Sequence, residues 1–254
     1  MPVTERNDYK MRQLEFVVNS NEKLTNNVFK MTLHGDVSDI TVPGQFVNIL
    51  IDGLFLRRPI SVCDITDDTL TLIYKVVGKG TEKMAEMENG TRLDILTGLG
   101  NGYDISLSGD TPLLIGGGVG VPPLYMLAKK LIELGKNVSV ILGFNTQSEI
   151  FYEEEFKALG ANVYVTTVDG SYGVKGFVTD VDTENYSHIF CCGPEPMLKA
   201  VYKFSKTDAQ FSFEERMGCG FGACMGCSCK TITGYKRICK DGPVMKKEEI
   251  LWED

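Results

Sequence analysis

The stretch Pro112-Leu113-Leu114-Ile115-Gly116-Gly117-Gly118-Val119-Gly120-Val121-Pro122-Pro123 decides the fold class. Residues 112–116 read as a short apolar strand, the glycine run follows, and a helix is predicted over 122–134. Proline suits the start of that helix, because the N–H it lacks would be unpaired there. A glycine loop of this kind lets backbone approach a pyrophosphate, and the helix N-terminus favours the negative charge. The run departs from G-x-G-x-x-G, since residues of a Val-Pro-Pro run stand where the third glycine would be. A tight strand–helix turn without a ligand is its alternative reading.

Downstream, strands are predicted over 138–142, 163–168 and 188–192, with helices over 149–159 and 196–206. Strands alternating with helices of this length indicate a parallel sheet covered on both faces. Upstream the texture differs. Residues 13–18, 28–33, 46–51 and 69–77 carry β-branched, aromatic and alternating positions, separated by turn clusters such as Val42-Pro43-Gly44 and residues 64–68. Several short strands with regular turns suggest a small antiparallel barrel. The last forty residues fit neither pattern. The expected architecture is therefore an antiparallel β-barrel over 1–103, a parallel-sheet α/β nucleotide-binding domain over 104–213, and a small C-terminal module over 214–254.

Composition narrows the function. The chain has 254 residues, 26 Lys and Arg against 34 Asp and Glu, and a net charge of −8. That balance argues against a nucleic-acid partner, which needs clustered cations. Hydrophobic residues at 43% and charged residues at 24% exclude a disordered chain. Residues 1–10 are polar, with no apolar signal-peptide core. The longest uncharged stretch, 111–128, holds four Gly and three Pro, unlike a membrane span. A soluble, cytoplasmic protein is expected. Its only histidines are His34 and His188, too few for a His-rich metal site.

Eight cysteines in a reducing compartment do not read as a disulfide framework. Cys63, Cys191 and Cys192 are scattered and read as small buried apolar residues. Cys219, Cys224, Cys227 and Cys239 spell C-x4-C-x2-C-x11-C, whose first part has the spacing of plant-type [2Fe–2S] centres. Three thiolates on one tight loop must wrap a small inorganic core, with the backbone turned inward to give N–H bonds to sulfur. Gly218, Gly220, Gly222 and Gly226 permit the dihedrals that this requires. The fourth thiolate arrives from Cys239, and Cys229 is given no ligand role. Zinc is the alternative, but it usually pairs its ligands as two C-x2–4-C knuckles.

After the strand over 138–142 comes Gly143-Phe144-Asn145-Thr146-Gln147. No Arg or Lys stands there to take a 2′-phosphate, which leans towards NADH over NADPH, and no acid stands immediately there either. Cys192-Gly193-Pro194 follows a later strand, at the sheet edge where ligands of open α/β folds collect.

In chain order these signals resemble the ferredoxin–NADP+ reductase superfamily. Arg58-Pro59-Ile60-Ser61 is similar to its R-x-[YF]-[ST] flavin motif, Gly116 to Pro123 to its G-G-x-G-x-x-P loop, and Cys192-Gly193-Pro194 to its C-G-P turn. Four further stretches resemble the electron-transfer subunits of dihydroorotate dehydrogenase B within it. They are Leu56 to Ser61, Gly78-Lys79-Gly80-Thr81, Gly98-Leu99-Gly100-Asn101-Gly102, and Glu215-Arg216-Met217-Gly218-Cys219-Gly220-Phe221-Gly222-Ala223-Cys224. The likeness spans essentially the whole chain.

The resemblance implies FAD in the barrel, one [2Fe–2S] cluster, and NAD+ as acceptor. It also implies an FMN-containing catalytic subunit as partner, in a heterotetramer of two plus two, within pyrimidine biosynthesis. It places Arg58, Pro59, Ile60 and Ser61 at the flavin, with Arg58 meeting the pyrophosphate and Ser61 near flavin N5. Ile73, Tyr74 and Lys75 would line the flavin, and Gly80 and Thr81 would hold phosphate. Gly116, Gly117, Gly118, Gly120, Pro122, Cys192, Gly193 and Pro194 would meet the nicotinamide nucleotide. Ile60 departs from the aromatic of the superfamily motif. On this reading the chain is an oxidoreductase subunit that needs no acid–base residue, since a flavin gathers two electrons for a hydride and a cluster passes them singly. A related flavin and [2Fe–2S] subunit of an NAD(P)H–ferredoxin or sulfide-type oxidoreductase is the alternative. A plain ferredoxin-like carrier would need neither the barrel nor the nucleotide loop.

Overall fold

The computed structural model of the protein describes residues 11–181 and 185–252, so the polar stretch 1–10 read above lies outside the described residues. In chain order the barrel strands are β1 (Arg12–Lys23), β2 (Val28–His34), β3 (Phe46–Ile49), β4 (Arg58–Thr66) and β5 (Thr69–Lys75). Helix α1 (Lys79–Ala85) and strand β6 (Arg92–Leu99) complete that half. The strands close in the order β1-β2-β5-β4-β3-β6, because β1 pairs with both β2 and β6. Alternation drives closure: Phe16, Met31, Leu33, Val47, Ile49, Val62, Leu70 and Leu72 point inward and are buried. Each such side chain contributes about 1.5–3 kcal/mol on burial.

The second half carries β7 (Leu113–Gly117), α2 (Pro122–Glu133), β8 (Ser139–Phe144), α3 (Glu153–Ala158), β9 (Asn162–Thr167) and β10 (Val174–Lys175). Strand β11 (Ile189–Cys192), α4 (Glu195–Phe204) and β12 (Ala209–Ser212) follow. The last segment holds β13 (Ser228–Thr231), β14 (Gly234–Arg237), α5 (Ile238–Asp241) and β15 (Val244–Lys246). The large sheet runs β10-β9-β8-β7-β11-β12-β15, parallel except for β15, which lies antiparallel to β12. The expected fold class, barrel beside a doubly covered parallel sheet, is the one observed.

Two barrel strands, β4 and β6, lie outside the stretches expected. Their charged residues and Pro59 blur the alternation, and pairing on both sides overrides local preference. The helix expected over 149–159 begins only at Glu153, because Tyr152 stands at φ 67°, in the left-handed region. The sheet buries two faces. Leu114, Val140 and Leu142 meet α2 and, beyond it, Cys63 and Ile73 of the barrel. Leu113, Ile115 and Ile141 meet α4, Phe46 and Leu99, together with Cys227, Ile238 and Cys239 of the last segment. That segment is wedged between barrel and sheet.

Candidate functional site

The strand order reverses at β7, which runs to β8 on one side and pairs with β11 on the other. Such switch points are where open α/β sheets bind ligands, beyond the carboxyl ends of their strands. The glycine run and the C-G-P turn both lie there: Gly116 is the register partner of Cys192. A Cβ on Gly120 would collide with the backbone of Cys192 and Gly193, and one on Gly117 would come within 2.5 Å of Met197 Sδ. Gly118 has φ 51° and open space at its side-chain position. Pro122 is buried in the first turn of α2. The eight residues expected at the nucleotide therefore stand together at one crevice.

The sequence reading missed Glu149. The turn over Gln147–Glu149 returns its carboxylate to the end of β8, where Oε2 accepts from Asn145 N at 3.2 Å and Asn145 Nδ2 at 2.9 Å. Thr146-Gln147-Ser148-Glu149 has the Ser/Thr-x-x-Glu pattern, and that was the available signal.

The residues expected at the flavin divide into two groups. Arg58 opens β4, and a Cβ on Gly80 would overlap its guanidinium, so cation and α1 backbone meet at one place. Arg58 donates to the carbonyls of Leu56 and Arg57 and, among the described residues, makes no ion pair. Thr81 Oγ1 accepts from Val77 N at 2.9 Å and Gly78 N at 3.3 Å, and donates to Gly78 O at 3.0 Å. That bonding shapes the turn that presents Gly80. A free guanidinium beside the first amides of a helix is a fitting cradle for a dinucleotide's phosphates. Ser61 is half-buried on β4, opposite Phe46.

Tyr74 is placed differently from Ile73 and Lys75. Its ring lies within the barrel's core cluster, stacked on Phe29 at 5.9 Å. Burial pushes its phenol up to about 12. Ile60 also packs against the barrel core, and Ile73 faces the α/β half. Cys63, Cys191 and Cys192 are buried thiols, and burial pushes each pKa up.

Four of the five cysteines of the last segment stand as two pairs, Cys219 with Cys224 and Cys227 with Cys239. Ala223 N and Cys224 N donate to Cys219 Sγ at 3.2 and 3.5 Å, Gly226 N to Cys224 Sγ at 3.5 Å, and Cys239 N to Cys227 Sγ at 3.4 Å. Burial opposes ionisation of Cys219, but the backbone donors outweigh it and hold the thiol at about 6. Among the described residues no three Cys, His, Asp or Glu side chains close on a single ion. Four thiols whose sulfurs accept from backbone amides are a donor set that would fit a [2Fe–2S] cluster.

Three side chains clamp this loop. Arg237 Nη1 donates to Gly222 O at 2.8 Å and pairs with Asp241 at 3.0 Å, and Lys240 lies over Gly222. From the barrel, Asn48 Nδ2 donates to Cys219 O at 3.2 Å. Neither Arg237 nor Asn48 was expected, because strand pairing and long-range packing bring them there.

Comparison with known proteins agrees with this geometry. Residues 214–251 match the iron–sulfur cluster binding domain of dihydroorotate dehydrogenase B, and residues 114–203 match an oxidoreductase NAD-binding domain. The chain is 44% identical over 255 residues to the dihydroorotate dehydrogenase B (NAD(+)) electron transfer subunit of Bacillus velezensis, covering 94% of this chain and 99% of the relative. It is 45% identical over 257 residues to the protein of that name from Fusobacterium nucleatum, covering 94% and 99%. Among solved structures, an NADH-dependent reduced ferredoxin–NADP oxidoreductase aligns with TM-score 0.85 and 31% identity, over 93% of this chain and 90% of that one. A ferredoxin–NADP+ reductase from Neisseria gonorrhoeae shares the fold at TM-score 0.65 and 18% identity, over 77% and 90%.

Proposed function

The chain belongs to the family of dihydroorotate dehydrogenase B electron transfer subunits, and from that premise we propose that it carries electrons from an FMN-containing catalytic subunit to NAD+. It is the oxidoreductase subunit that uses FAD, an iron–sulfur cluster and NAD. The observation that carries the reading is the order of the three sites. The thiol loop sits on β3, β3 pairs with β4 at the flavin motif, and β4 packs through Cys63 against α2, which opens from the glycine loop.

When bound, the cluster passes electrons one at a time and the flavin gathers two for a hydride. The chain's own residues do the rest. Arg58 and the first amides of α1 hold phosphate, while Ser61 and the outward face of β5 orient the ring system. Gly116 to Gly120 and Gly193 let the nucleotide lie against bare backbone. Cys219, Cys224, Cys227 and Cys239 hold the irons, and the amides of Ala223, Gly226 and Cys239 stabilise the charge on sulfur. Burial of Cys227 and Cys239 keeps water from that side. No general base is required.

The proposal includes an assembly of two copies of each subunit, in the cytoplasm. Among the described residues no helix is long and apolar enough to cross a membrane. Native capture of the chain tests the reading. The expected result is a complex that contains FMN, FAD and iron and reduces NAD+ with dihydroorotate, its mass giving the stoichiometry. A captured complex without FMN or dihydroorotate activity would overturn it. The likeness to the ferredoxin–NADP oxidoreductase favours a second reading, a subunit of an NAD(P)H–ferredoxin oxidoreductase, which predicts ferredoxin-linked activity in that complex.

A further inference from the structure

Asn48 is 1% exposed in β3, between Val47 and Ile49 of the barrel core. Its backbone lies opposite Pro59 of the flavin motif on one side and Leu96 of β6 on the other. Arg57 Nη1 holds the Asn48 carbonyl at 3.3 Å and the Asp94 carbonyl at 3.0 Å. Its side chain leaves the barrel altogether. Nδ2 donates to the carbonyl of Cys219, 171 positions away. Gly220, at φ 80°, has no room for a Cβ because Asn48 Nδ2 occupies that space. Among the described residues, this amide is the side chain through which the barrel hydrogen-bonds the 219–226 loop.

The other end of the amide is costly. Oδ1 is buried and has no partner among the described residues. A buried acceptor without a donor loses its hydration and recovers nothing. An apolar side chain of the same shape would fill the position without that loss. The residue is thus explained by its donor end, which grips the carbonyl of the first thiolate ligand. Arg237 and Lys240 hold the loop to its own segment, and Asn101, just past β6, ties that segment to the barrel through the Asp241 and Val244 carbonyls at 3.2 and 2.9 Å, whereas Asn48 reaches the loop directly from the strand that pairs with the flavin motif.

We propose that Asn48 is a positioning residue for electron transfer: it fixes the iron–sulfur loop against the flavin-binding strand and so sets the rate at which electrons pass between them. The inference rests on the function proposed above. Electron passage falls steeply with separation, and one side chain spans the gap between Cys219 and the strand that pairs with Pro59.

The test uses the full chain, purified with its FAD and cluster, in wild-type form and as Asn48→Leu and Asn48→Asp. Both substitutions preserve size and remove the donor. NADH is mixed anaerobically, and flavin bleaching and cluster reduction are followed separately, with electron paramagnetic resonance of the reduced cluster. The expected result is unchanged FAD content, iron content and flavin bleaching, with cluster reduction slowed severalfold. The resonance of the reduced cluster shifts in both variants. Gly220→Ala, which leaves Asn48 in place and pushes the loop off its amide, gives the same slowing. Wild-type rates and spectra in the Asn48 variants would overturn the inference, and so would joint loss of FAD and iron, which marks a merely structural residue. If the wild-type chain itself passes no electrons from NADH to iron, the proposed function falls, and this inference with it.

Discussion

The phenol of Tyr74 donates to Asn21 Oδ1 at 3.0 Å. The Nδ2 of the same Asn21 donates to the carbonyls of Met84 at 2.8 Å and Met87 at 3.2 Å, which ties the far end of α1 to the barrel wall. At the flavin site proposed above, Tyr74 would therefore act from behind, through the helix that presents Gly80. Tyr74→Phe keeps the stack on Phe29 but leaves Asn21 Oδ1 without its donor. We expect a stability loss of about 1 kcal/mol, the net worth of one such bond. Thermal unfolding reads the loss, and faster FAD release on dilution reads its effect on α1. Unchanged release would separate Tyr74 from the site.

Arg58 and Gly80 are tested as a pair. Arg58→Ala removes the free cation, and Gly80→Ala drives a methyl into the guanidinium. Both variants are expected to lose FAD on gel filtration while retaining iron. Flavin retained at wild-type levels in both would move the phosphate site elsewhere.

Gly120→Ala places a methyl against the backbone of Cys192 and Gly193, and such overpacking costs about 1–3 kcal/mol. The glycine loop and the turn that follows β11 must move apart. The expected phenotype is a raised KM for NADH with FAD and iron content unchanged, measured with an artificial electron acceptor. An unaltered KM would show that the nucleotide does not meet this loop.

Thiol loss should track the ligand assignment. The wild-type chain is expected to be red-brown with about two iron and two sulfide per chain. Cys219→Ser lowers iron sharply and leaves FAD in place, whereas Cys229→Ser leaves both unchanged. Stoichiometric zinc in a colourless preparation would refute the cluster.

His188 sets a pH dependence. Gln210 is oriented by Asp104, whose N–H donates to Oε1 at 2.8 Å and whose carbonyl accepts from Nε2 at 2.9 Å. Gln210 Nε2 then faces His188 Nε2 at 3.2 Å, so the ring nitrogen must accept and the imidazole must be neutral. Burial likewise lowers its pKa below 6.5. The unfolded chain takes up the proton first as pH falls. The stabilisation is thus complete above about pH 6.5 and is lost as the pH falls towards the folded value. His188→Phe should flatten the fall in urea midpoint between pH 7 and 5 relative to wild type. Parallel curves would refute the assignment.

The chemistry that consecutive residues spell was legible. The glycine run, the first three cysteines of the C-x4-C-x2-C run and the Arg58 motif each sit within a dozen positions, where local geometry decides what they do. Barrel and sheet were legible for the same reason, through periodicity. Tyr74 was not: its neighbours in sequence say nothing of which face of β5 it takes, and pairing with Phe29 turns its ring inward. Asn48 and Asn21 read as ordinary polar residues until strand register carries them to Cys219 and Met84. Glu149 lay between these cases, readable from its capping pattern once the strand end was known.

The antiparallel strand β15 has a consequence for anyone who would dissect the molecule. One edge of the large sheet is supplied by residues that come after all five cysteines of the last segment, well past the 114–203 stretch that matches the NAD-binding family. A gene fragment cut at residue 213 would leave the backbone of β12 bare and adhesive. Transplanting this half into another flavoprotein means carrying the tail along, or capping the seam with a borrowed strand.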